Sequence, residues 1–171
     1  PRHCNRRTDP SVRAPVAASP TNAEVRYAAP TASELPPLVP ADLRVMRGEQ
    51  VAGALTADGE ITAGGAPYAR MEARRVVAAD GRVLAALDAE GGLRFEGTSR
   101  RGRLLAEGVV EADDGQRMAL GADGRVVFTD PAHAGDDVVL QTRVEGVTER
   151  SRREAVVLVG VLMFRERAAG R

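Results

Sequence analysis

Tryptophan is absent from this chain, and the other aromatics are scarce, with three Phe and two Tyr in 171 residues. So few rings remove most stacking platforms for bases or sugars and leave Val, Leu and Ala to fill a core. Charge of one sign is also missing. Basic and acidic residues number 24 each, so there is no domain-wide positive field of the kind a nucleic-acid binder uses. Lysine does not occur, and every basic residue is Arg. Such a chain-wide substitution reads as composition and not as the chemistry of a site. One cysteine, Cys4, makes no intrachain disulfide. The longest apolar run, Ala155–Phe164, would span only about 15 Å as a helix, against roughly 30 Å for a bilayer core, which excludes a transmembrane span there.

Proline and glycine are present in abundance but are segregated. Eight of the ten prolines lie in residues 1–40, whereas all 18 glycines lie at Gly48 or later. Residues 1–40 mix Pro, Ala, Ser and Thr without helical or strand periodicity, so they are expected to form a disordered Pro/Ala-rich linker. Residues 41–171 are expected to form a single β-rich globular domain.

Within that domain, Asp58-Gly59, Asp80-Gly81, Asp114-Gly115 and Asp123-Gly124 separate short apolar runs. Asp-Gly is the preferred pair for two-residue type I′ hairpin turns, and these turns are predicted at all four places. Gly64-Gly65 and Gly91-Gly92 punctuate in the same way. Several intervening runs alternate, such as Met118 and Leu120 against Arg117 and Ala119, which is the period of a half-buried strand. Residues 79–95 and 113–128 repeat one order of turn, strand, turn and Phe-ended strand. The pattern predicts a mainly β fold, an antiparallel meander or small barrel of about eight to ten short strands. One C-terminal helix, about residues 149–166, is expected to pack on it, started by a capping box of Ser151 and Glu154, with a buried strand over 155–164 as the alternative that its four valines and Gly160 leave open.

Candidate chemistry is sparse. The Asp-Gly pairs lack calcium-loop ligand spacing, and His133, the single His of the folded part, sits in the loop sequence TDPAHAGDD without the further His or Cys that zinc or a catalytic dyad would need. No catalytic residue, metal site or cofactor is therefore assigned. Arg100, Arg101 and Arg103 in GTSRRGR form a candidate anion-binding cluster, and Arg150, Arg152 and Arg153 a second one partly neutralised by Glu149 and Glu154.

The opening PRHCNRRTDP, a cysteine followed by a long Pro/Ala-rich stretch, resembles a mature bacterial lipoprotein. The resemblance covers the first forty residues and implies a lipid on Cys4, a tether, and a place in the cell envelope or periplasm. The expected role is a non-enzymatic envelope or secreted domain acting as a binding or structural module, with a protein or envelope component as partner. A cytoplasmic interaction module, or an enzyme with an unfamiliar carboxylate and His site, is the alternative.

Overall fold

The computed structural model describes residues 34–98, 101–133 and 137–169. Twelve strands follow one another as β1 (Leu43–Arg47), β2 (Gln50–Leu55), β3 (Glu60–Ala63), β4 (Ala66–Met71), β5 (Arg75–Ala78) and β6 (Val83–Leu87), then β7 (Gly92–Phe95), β8 (Arg101–Leu104), β9 (Val110–Ala112), β10 (Arg117–Leu120), β11 (Arg125–Thr129) and β12 (Val138–Glu145). Each pairs antiparallel with its neighbours in sequence, and β12 returns to pair with β1, placing Val45 beside Val144, so the sheet closes into a barrel. Closure leaves no strand edge unpaired. The barrel is thus the one of the two expected arrangements that forms, with more strands than the expected eight to ten.

Six hairpins share one loop, and it differs from the predicted turn. After Thr56, Ala78, Asp88, Leu105, Ala112 and Gly121 the chain makes a three-residue loop whose third residue is Gly; that Gly N–H donates to the carbonyl three residues back. The glycines have φ between 77° and 89°. This is the three-residue hairpin with a left-handed last residue, not the two-residue type I′ turn. The physical reason lies in the Asp. The Asp80, Asp114 and Asp123 carboxylates accept hydrogen bonds from the backbone N–H two residues on, at 3.0–3.1 Å, which fastens the middle of the loop.

The C-terminal segment is helical, as expected, but starts differently. Ser151 is not the first cap. Glu149–Ser151 form a 3-10 turn led by Thr148, whose N–H donates to Ser151 Oγ at 2.9 Å, and the helix α1 (Arg152–Ala169) follows. Every residue from Glu154 to Leu162 is buried, so this stretch of α1 is covered on all sides. It packs on β2, β6, β7 and β10, which stand around the ring. A barrel of about eight strands is filled by its own side chains, whereas twelve leave a lumen wide enough for a helix. The helix therefore fills the barrel and serves as its core, with Leu158 fully buried in the same cluster as inward residues such as Leu55, Ile61, Val76, Leu93 and Val126. No helix among the described residues is long and apolar enough to cross a membrane.

The two ends of the barrel differ. At the end where α1 enters, residues 34–40 form a strap, although they lie ahead of the boundary expected at residue 41. Leu35 and Leu38 are 8% and 4% exposed and belong to the core. Their N–H groups donate to Ala89 O at 2.8 Å and Ala73 O at 2.7 Å, in the turns before β7 and β5. Val39 N–H donates to Glu154 Oε1 at 2.9 Å, and Arg153 donates to the Pro36 and Pro37 carbonyls. Prolines suit this strap because it is extended and needs few of its own N–H groups. The opposite end, the mouth, receives the second half of α1.

Candidate functional site

At the mouth the helix does not fill the lumen. Gly160 on α1 and Gly102 on β8 carry no side chains at the wall, and a cavity of about 510 Å³ lies beside them. A Cβ on Gly160 would meet Phe95 Cε1 at 2.7 Å, so the glycine is what lets helix and wall approach here.

The cavity gathers the phenylalanines of the chain. Phe95 at the end of β7, Phe128 near the end of β11 and Phe164 on α1 all line it, joined by Val110, Met118 and Met163. These are all three phenylalanines of the sequence and two of its four methionines. Strand alternation explains the placement: on β10 Met118 and Leu120 point inward, and on β7 Leu93 does. The Phe95 and Phe164 rings lie 4.9 Å apart between centroids at 38°, a tilted pair.

The rim is polar. Thr98 Oγ1 donates to Phe95 O at 3.0 Å. Arg117 donates through Nε to Glu111 Oε2 at 2.6 Å, an exposed pair of little energetic weight that nonetheless occupies the guanidinium. Arg101, at the start of β8, is exposed and lines the same cavity, and its guanidinium makes no hydrogen bond or ion pair with any described residue. No carboxylate, His or Cys lines the cavity among the described residues. Nor do three His, Cys, Asp or Glu side chains cluster anywhere among them in a way that could hold a metal ion.

A second polar cluster fastens loops on the mouth side. The Arg165 guanidinium stands 5.0 Å from the centre of the Tyr68 ring. Burial raises the pKa of the Tyr68 hydroxyl, against the pull of Arg165. The Asp80 carboxyl is held below its usual range first by the Arg82 backbone N–H and then by the Arg82 side chain, which also reaches Glu96 at 3.3 Å.

Of the residues singled out in the sequence, Arg101 reaches the cavity. Arg103 shares a face of β8 with Arg101 but lies two positions farther from the mouth and does not line the cavity. Arg100 and Cys4 lie outside the described residues, and His133 ends a 3-10 turn between β11 and β12. The second arginine cluster has structural work: Arg153 holds the strap and Arg152 donates to Leu120 O at 3.4 Å. Sequence reasoning missed Phe95, Phe128, Phe164, Met118 and Met163 as a group. The available signal was that Phe95, Met118 and Phe128 fall at inward strand positions while Met163 and Phe164 follow the apolar run of the helix. Comparison with family models, with curated proteins and with solved structures finds no match to this chain.

Proposed function

We propose that the domain is a non-enzymatic binding module whose ligand site is the cavity at the barrel mouth. The observation that carries this reading is the convergence of all three phenylalanines and two methionines on a space of about 510 Å³. That volume falls within the roughly 300–1,000 Å³ of small-molecule sites, which are largely apolar with a few polar groups at set positions. Catalysis would need groups of shifted pKa converging on the cavity, and those that line it are apolar side chains, an amide, a hydroxyl bonded to backbone, and guanidinium groups. The same proposal places the module in a bacterial envelope, tethered through Cys4. That part rests on the composition of residues 1–40 alone.

The test is binding of the neutral fluorophore N-phenylnaphthylamine. Saturable, single-site fluorescence enhancement is expected, and Ala112→Phe, which puts a ring into the cavity from β9, should abolish it while the melting temperature holds. Enhancement that survives Ala112→Phe would place the dye elsewhere and remove this reading. For the tether, the mass of the mature cellular protein should show an acylated Cys4, and an unmodified mass would remove the envelope assignment.

A further inference from the structure

We infer that the ligand of the mouth cavity is a singly charged alkyl carboxylate, its chain in the lumen and its head on Arg101. The inference rests on the proposal that this cavity is a binding site, and adds the chemistry of the occupant. Three observations specify that chemistry.

The first is the rim charge. Arg117 is occupied by Glu111, whereas the Arg101 guanidinium has no partner among the described residues. One open planar fork matches one carboxylate, which it can grip with two parallel hydrogen bonds. Among the described residues, the cavity wall offers no carboxylate that would repel such a head or attract a cation in its place.

The second is the shape of the apolar part. Phe95 and Phe164 lean on each other, tilted by 38° at 4.9 Å, so the pair is not a parallel clamp that would select a planar ring. The remaining lining is Met118, Met163, Val110 and Phe128. Methionine side chains are unbranched and adapt to irregular contents. A flexible chain fits such walls better than a rigid ring system does.

The third is direction. α1 runs from the strapped end to the mouth, and Gly160 marks the level at which the lumen opens. Below that level the helix is buried on all sides by aliphatic residues, so a chain can enter only from the mouth. An amphiphile entering tail first leaves its head at the rim, where Arg101 stands.

The experiment is calorimetric titration with dodecanoate and dodecyltrimethylammonium, each kept below its micelle concentration, and dodecanol, kept below its solubility limit. Dodecanoate should bind about tenfold more tightly than dodecanol, the size of one charge-assisted hydrogen-bonding contact, and dodecyltrimethylammonium more weakly than either. Arg101→Gln should equalise dodecanoate and dodecanol, whereas Arg103→Gln, on the same strand but outside the cavity lining and farther from the mouth, should leave the preference intact. Equal affinity for the two in the unaltered protein, or a preference that survives Arg101→Gln, overturns the assignment. If N-phenylnaphthylamine binds but no dodecyl compound does, the alkyl class is wrong and the cavity remains a site. If the dye does not bind either, the proposed site itself is wrong.

Discussion

Gly160 shows how little spare room separates the packed part of the lumen from its open part. A methyl group there would press on the Phe95 ring, so Gly160→Ala should cost about 1–3 kcal/mol, the usual penalty of overpacking, read as a lower denaturant midpoint. The opposite error lies one half-turn earlier. Leu158 is fully buried, and Leu158→Ala should cost about 2–5 kcal/mol by leaving a void in the lumen. Burial of this run was legible in the sequence because ten such apolar residues have no reason to stay in water. The role of the phenylalanines was not, because a single ring at a strand end looks alike whether it packs tightly or borders a cavity. Titration at the residue scale has a definite sign. Hydrogen bonds from Arg82 lower the folded-state pKa of Asp80, so its contribution to stability is complete above the unfolded-state pKa and is lost as pH falls through the folded value. NMR of the carboxyl carbons should find Asp80 titrating below the ordinary carboxylate range near pH 4, and Arg82→Gln should return it toward that range.

Elements are set by loops as much as by strands. The repeated three-residue hairpin places Gly in the left-handed region, where any other residue costs about 1–2 kcal/mol. Surroundings then separate otherwise equal positions. Around Gly81 a Cβ would meet nothing within 4 Å, whereas at Gly108 it would meet Arg152 Cβ at 2.6 Å, where the β8–β9 turn abuts the start of α1. Gly81→Ala should therefore cost only the conformational penalty, and Gly108→Ala clearly more, in paired denaturant titrations. The Asp-Gly signal located the hairpins correctly and misjudged their length. Whether the residue before the Asp belongs to the strand or to the loop depends on cross-strand pairing, as when Ala78 pairs with Arg82 and leaves Ala79 in the loop. The helix was legible as a helix in spite of its valines. Its start was not, since the buried Glu154 that seemed to cap Ser151 instead receives the Val39 N–H from the strap.

For the whole molecule, the parts hard to read were those made by distant segments. Leu35 and Leu38 stand among prolines, and their composition matches the residues before them, yet they seal the end where α1 enters. Burying two leucines contributes about 3–6 kcal/mol, and a domain of this size loses roughly 2–4 °C of melting temperature per kcal/mol. A chain starting at Ala41 should thus melt about 10 °C or more below one starting at Glu34; equal melting would mean the strap does not hold. Closure of the sheet was likewise beyond the sequence, because the pairing of β1 with β12 joins residues some hundred positions apart and leaves no local signature. With one end sealed and the lumen filled by α1, the proposed ligand site lies at the mouth. The most direct measurement is an NMR titration of the domain, labelled at Phe, Met, Val and Leu, with N-phenylnaphthylamine. Shifts confined to Phe95, Val110, Met118, Phe128, Met163 and Phe164, with Leu35, Leu38 and Val156 unmoved, are the predicted result. Shifts centred on the strapped end or spread over the outer face would contradict a binding site at the mouth.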